Sequence, residues 1–376
     1  MAGIYIHIPF CKTRCSYCDF YSSIDISIKN KLIDCLCKEL ISEKQYIGEE
    51  AIETIYFGGG TPSLLDEKDF EVIFNTINSN YDTSQCIEIT LEANPDDLDL
   101  DYILMLKKFP FNRISIGIQS FMDKELKLIN RRHTSEQAIN AVTLCQHNGF
   151  ENISIDLIYG YPSQALVDLS MSIDIALKIN PKHISAYHLS YEKDTILENK
   201  LRRKEITAID EETSNEMFKL FVSELKKHGF LQYEISNFSQ QGFESKHNSS
   251  YWNGRKYLGI GPSAHSYNQL TRKWNVSSIN DYVRGIDENK CIFEFETLTL
   301  NDKYNDYIIT SLRTLKGASL ERIEKDFGDK LLENCFQSAA KHINNNILVI
   351  QDGYLRFTST GILLSDGIIA DLLFVD

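Results

Sequence analysis

Along residues 3–190 the apolar positions follow two alternating rhythms, a short β-rich run and then a longer stretch with helical spacing. Alternating runs of this kind predict strands at residues 4–8, 54–57, 87–91, 113–117, 153–157 and 183–189. Between them, helical periods fall at residues 29–43, 67–77, 103–108, 136–148 and 166–179. Six βα units in succession predict an α/β fold, a partial (β/α)6 barrel, in which the chemistry sits just after the strands. The regular alternation stops near residue 190. A charged, irregular stretch at 197–210 reads as a loop, residues 211–227 as an amphipathic helix ending at Gly229, and residues 233–238 as a strand. From about residue 301 three helical stretches (303–315, 320–327, 330–344) precede a run at 348–357 that turns at Gln351-Asp352-Gly353-Tyr354. Helices followed by a hairpin predict a small winged-helix-like α+β domain, so the chain divides into residues 1–190, 191–300 and 301–376.

The strand ends carry the chemistry. The first strand runs into YIHIPFCKTRCSYCDF, where Cys11, Cys15 and Cys18 stand in a C-x3-C-x2-C array. Thiolates at this spacing converge on zinc, copper(I) or an iron–sulfur cluster. A closed zinc site wants four protein ligands, and Asp19 and Phe20 follow where a fourth cysteine or histidine would be needed, so zinc is the weaker reading. A four-iron cluster held by three cysteines keeps one iron open for an added ligand. Gly58-Gly59-Gly60-Thr61-Pro62 follows the second strand, with backbone free to approach a ligand closely. Glu92, Gln119 and Asp156 end the next three strands and Arg131 lies in LINRRH. Carboxylates suit hydroxyls and an ammonium, and arginine suits a carboxylate. Asn94-Pro95-Asp96 reads as a turn and helix cap.

Composition narrows the partners. The 376 residues are 43% hydrophobic and 24% charged, with no apolar run near the roughly 18 residues of a membrane span. The N-terminus, lacking a basic region, reads as a structural strand and not a signal peptide, which predicts a cytoplasmic protein. Nine cysteines, mostly scattered singly, make no disulfide framework and fit a reducing compartment. With 39 basic against 53 acidic residues the net charge is −14, which opposes nucleic-acid binding. The basic run at residues 200–204 reads as a solvated face. Gly259-Ile260-Gly261 with Ala264 lacks the βαβ unit of a dinucleotide loop and reads as close backbone packing.

With Tyr17 as the aromatic before the third cysteine, C-x3-C-x-aromatic-C resembles the signature of the radical S-adenosylmethionine (SAM) superfamily. EANP, RISIGIQSF, NRRH and IDLIYGYP resemble, over nearly the whole chain, the coproporphyrinogen dehydrogenase (HemN) family and its heme-chaperone branch, HemW. The resemblance implies a [4Fe-4S] cluster on the three cysteines, with SAM on the open iron, and places Tyr5, Gly59, Gly60, Thr61, Glu92, Gln119, Arg131 and Asp156 at SAM-contacting positions. His247, Asn248, Tyr251 and Trp252 spell H-N-x-x-Y-W, which resembles the motif associated with heme in the chaperone branch, with His247 as a candidate axial ligand. The resemblance leaves three functions open: a heme chaperone delivering to an acceptor protein, with an electron donor for the cluster; an oxygen-independent coproporphyrinogen III oxidase; or a radical SAM enzyme on another substrate. Phe20, in place of a further cysteine, and only ten residues before Cys11 favour the chaperone branch.

Overall fold

The computed structural model describes residues 1–375. Its first half runs β1 (Ala2–Ile8), α1 (Lys29–Ser42), β2 (Ile52–Gly59), α2 (Glu67–Asn80), β3 (Glu88–Ala93), α3 (Leu100–Leu106), β4 (Arg113–Gln119), α4 (Asp123–Leu128), α5 (Ser135–His147), β5 (Asn152–Tyr159), α6 (Leu166–Ile179) and β6 (His183–His188). The six strands pair in parallel in chain order, the partial barrel that the alternation predicts. Their period of two separates a helix-facing layer from the barrel bore. On β1, Ile4, Ile6 and Ile8 are fully buried in the main core, while Tyr5 and His7 point inward. On β5, Ile153, Ile155 and Leu157 join the core, while Ser154 pairs with His183 at 2.7 Å. Polar side chains therefore fill the bore; some are bonded to one another, as Tyr5 to His7 and Ser154 to His183, while the buried Arg113 leaves Nε and Nη1 and Thr90 its Oγ1 without a partner. Capping boxes at Asp66 and Thr134 start α2 and α5 where the sequence changes from turn to helical period.

The chain continues through α7 (Ile196–Arg202), α8 (Glu211–Lys227), β7 (Leu231–Gln232), β8 (Asn237–Ser239), α9 (Lys246–Trp252), β9 (Lys256–Ile260), β10 (His265–Tyr267), β11 (Thr271–Asn275), α10 (Ile279–Asp287) and β12 (Phe293–Thr297). β9 pairs in parallel with the free edge of β1, and β10, β11 and β12 extend it antiparallel; β8 and β7 extend the β6 edge. Both sheet edges are thus occupied by the middle of the chain, whose core residues merge with those of the barrel. The last stretch comprises α11 (Leu300–Leu312), β13 (Ala318–Ser319), α12 (Leu320–Phe327), α13 (Asp329–Asn344), β14 (Leu348–Gln351), β15 (Tyr354–Phe357) and α14 (Ser365–Leu372). It has a separate core, built on Tyr304, Ile308, Leu331, Leu355 and Leu372, and a winged-helix order of helices and hairpin. Asp352 and Gly353, at φ 53° and 79°, make the tight turn between β14 and β15 that the Asp-Gly pair predicts.

Three expectations differ from the structure. Residues 197–210 are not all loop: Thr195 caps α7 and Leu197 is buried, so a half-turn of apolar contact carries a helix that its charges had masked. Residues 233–238 are not one strand. The chain turns between β7 and β8, and the buried Glu234 carboxylate accepts from the Ser236 N–H at 3.0 Å and from the Asn237 amide. Among the elements with no counterpart in the predicted ones are the strands β9 to β12, whose alternation is broken by polar residues at a sheet edge, and the helices α9, α10 and α14. Gly259 does pack closely, since a Cβ there would fall 2.0 Å from the His265 carbonyl oxygen.

Candidate cofactor site at the strand ends

The loop after β1 returns across the C-terminal ends of the strands. Cys11, Cys15, Cys18, Gly59, Gly60, Thr61, Glu92, Gln119, Arg131 and Asp156 all line one cavity of about 180 Å³ there. Residues up to 145 positions apart in sequence are gathered because each follows a neighbouring parallel strand. Tyr17 and Phe20 of the cysteine loop line it as well.

Three glycines in a row are each required by contact. A Cβ on Gly58 would meet Tyr56 at 2.9 Å; one on Gly59, at φ 107°, would lie 2.6 Å from the His7 ring; one on Gly60 would lie 2.6 Å from the Phe10 carbonyl oxygen. The backbone is thereby pressed against β1, and the Gly59 N–H donates to Glu92 Oε2 at 3.1 Å. Tyr56 donates to Glu92 Oε1 at 2.7 Å. Burial, with the Asp156 charge nearby, pushes the Glu92 carboxyl up to about 7, and burial also raises Asp156. The cavity therefore holds two carboxyl groups that a cation would return to their charged forms.

Arg131 closes the other side. Its guanidinium donates to Cys15 Sγ at 3.6 Å, to Asn94 Oδ1 at 2.8 Å and to the Gly117 carbonyl. Thr61 Oγ1 donates to Cys11 Sγ at 3.5 Å. Burial raises the Cys11 thiol and pushes Cys18 up to about 11, the state of a buried thiol without a metal; metal coordination deprotonates such a thiol. Among the described residues no three His, Cys, Asp or Glu side chains are drawn together around a single-ion position. Each cysteine of a four-iron cluster binds its own iron, and three cysteines leave the fourth iron open. The donor set fits the cluster: three thiols, an arginine and a hydroxyl beside the sulfurs, and a polar cavity next to them.

Two predicted site residues lie elsewhere. Tyr5 stands deeper in the bore, its hydroxyl 3.0 Å from His7 Nδ1 and its ring stacked on Tyr56 at 6.1 Å. His247 lies at the opposite, N-terminal mouth of the barrel. It is 1% exposed, its Nδ1 pairs with Thr54 Oγ1 and its Nε2 with the Tyr251 hydroxyl, both at 2.8 Å. Burial holds its pKa down at about 3, so the ring is neutral. α9 is seated there by the Glu88 carboxylate, which accepts from the Lys246 and His247 N–H groups at 2.9 Å each.

Sequence reasoning missed Asn94 and Asp97. The segment read as a turn and cap is a short 3₁₀ turn whose buried Asp97 accepts from Lys12 at 2.5 Å and from Ser63 at 2.8 Å, tying the cysteine loop to the third strand end. Only the charge of Lys12 within the cysteine loop, opposite an acidic run, could have signalled it.

A family model described as the radical SAM superfamily matches residues 5–174, and one described as the HemN C-terminal domain matches residues 298–364. "Heme chaperone HemW" of Bacillus subtilis (strain 168) is 34% identical over 93% of this chain and 93% of its own length. "Heme chaperone HemW" of Lactococcus lactis subsp. lactis (strain IL1403) is 33% identical over 99% of this chain and 97% of its own. This chain belongs to the HemW family. Membership in a radical SAM family implies a [4Fe-4S] cluster and SAM. The solved structure titled as coproporphyrinogen III oxidase (HemN) from Escherichia coli superposes with a TM-score of 0.85 at 21% identity, over 99% of this chain and 90% of that one; this is a likeness of fold. No described helix is long and apolar enough to cross a membrane.

Proposed function

We propose that this HemW-family chain is a heme chaperone, which binds heme, carries a [4Fe-4S] cluster with exchangeable SAM and delivers heme to an acceptor protein in the cytoplasm. The observation that carries this reading is the match of relatives named as heme chaperones over nearly the full length of both chains. Cys11, Cys15 and Cys18 hold the cluster, and Gly59, Gly60, Thr61, Glu92, Gln119, Arg131 and Asp156 hold SAM; their shared cavity supports both assignments. Tyr5 contributes from below by packing on Tyr56, which orients Glu92. An electron donor serves the cluster. Residues 1–190 carry the cluster and SAM, 191–300 the H-N-x-x-Y-W region and 301–376 the winged-helix unit, a division supported by the separate C-terminal core.

Heme belongs to the H-N-x-x-Y-W region, with His247 in a part that its surroundings define. For its ring to bind iron directly it would first have to leave Thr54 or Tyr251. The deciding experiment pairs a heme titration of the reconstituted protein with an assay for SAM-dependent coproporphyrinogen III decarboxylation. Stoichiometric heme binding without porphyrinogen turnover is the expected result. Conversion to protoporphyrinogen IX would replace the chaperone with the oxidase.

A further inference from the structure

A cavity of about 610 Å³ lies below the barrel, between α9 with its neighbouring strands and the helices α11 and α12 of the C-terminal unit. This is within the range of sites that enclose a sizeable organic ligand. Its walls are aromatic: Tyr251 and Trp252 from α9, Tyr257, Tyr267, Tyr307 and Phe327. Three cations and two carboxylates, Arg272, Lys303, Arg322, Asp306 and Asp326, complete the lining, an excess of one positive charge (3 − 2) in a chain of net charge −14.

The cations differ in what they already hold. Arg272 is engaged by Glu296 and Asp306, at 2.7 Å each. Arg322 meets only Asp326, at 3.1 Å within its own helix, and its guanidinium lies 4.5 Å over the Tyr307 ring. Lys303 is partly buried as a residue, and its ammonium has no hydrogen-bond or ion-pair partner among the described residues. The Trp252 indole N–H is buried and also without an acceptor. An unpaired ammonium and a buried, unmet indole donor on the walls of one aromatic cleft suit a ligand that is flat, apolar and edged with carboxylates.

Resting on the chaperone reading, we propose that this cleft is the heme site, with Lys303 and Arg322 receiving the propionates and Tyr251 and Trp252 packing on the porphyrin. The motif's tyrosine and tryptophan reach the cleft and its histidine does not. His247 is then a positioning residue, whose 2.8 Å bond to the Tyr251 hydroxyl sets the tyrosine against the ligand.

The test titrates the full chain, cluster reconstituted, with hemin and with its dimethyl ester, following the Soret band. The Lys303→Ala and Arg322→Ala double variant should bind hemin at least about tenfold more weakly, the size of one lost charge-assisted hydrogen bond. Wild type should bind the ester more weakly than hemin, and the double variant should bind hemin and ester alike. Lys303→Arg should retain hemin affinity, and a far-UV circular dichroism spectrum and urea-unfolding midpoint equal to wild type would show the variants to be folded. Wild-type hemin affinity in the double variant, or equal affinity of wild type for hemin and ester, would overturn the cleft assignment and leave the chaperone reading standing. Failure of wild type to bind hemin at all would overturn both.

Discussion

Replacing Glu92 by glutamine should change how stability depends on pH. The Glu92 carboxyl titrates at about 7 in the folded chain against 4.5 as the ordinary value. A folded pKa above the unfolded one means that stability is fully present below pH ~4.5 and is lost as pH rises through about 7, because the unfolded chain releases the proton first. At about 1.4 kcal/mol per unit the full span is roughly 3 kcal/mol; the carboxyl faces a cavity that admits water, so about 1.5–3 kcal/mol is expected. Glu39, also pushed up to about 7 by burial, titrates in the same window, but it is present in both proteins and cancels in the comparison. Anaerobic urea unfolding of the apo wild type and of Glu92→Gln, at intervals from pH 4.5 to 8, measures the difference. The wild type should lose stability relative to the variant as pH rises. Parallel curves would refute the buried, neutral-leaning carboxyl. A bound cation favours the ionised form, so the same reasoning makes SAM bind wild type more tightly above pH 7 than below it, and makes Glu92→Gln bind more weakly than wild type above pH 7 with the gap closing as the wild-type carboxyl is protonated.

Cys15→Ala should lose the cluster on anaerobic reconstitution, and iron and sulfide contents equal to wild type would remove Cys15 from the ligand set. Gly59→Ala, forced to keep φ 107° with its new Cβ 2.6 Å from His7, should lose about 2–4 kcal/mol by urea unfolding and weaken SAM binding; a loss under ~1 kcal/mol would contradict the crowding. His247→Ala leaves Thr54 and Tyr251 without their partner at the barrel mouth. It should cost about 2–4 kcal/mol and reduce hemin affinity while the cluster, at the other end of the barrel, persists; unchanged hemin affinity would end the positioning role.

The period-two runs and the helical stretches between them made the barrel legible, because each strand had to present one face to a helix layer whatever lay in the bore. The cysteine spacing and GGGTP were legible for a related reason: short loops at strand ends act locally, so their chemistry is written in adjacent residues. The chain beyond residue 190 was less legible. Whether residues 256–297 are strands depends on the free edge of β1, a partner more than 240 positions away, and their own alternation is too weak to say so. The motif H-N-x-x-Y-W could be read as a string, but only the packing decided that His247 spends both nitrogens on Thr54 and Tyr251 while Tyr251 and Trp252 face a cleft. That cleft is lined by Lys303 and Arg322 from a separately packed unit, and its unmatched charge arises from which acids reach which cations in space. A sequence records the charges, but their pairing is a property of distance, and distances across two cores are set by the tertiary fold alone.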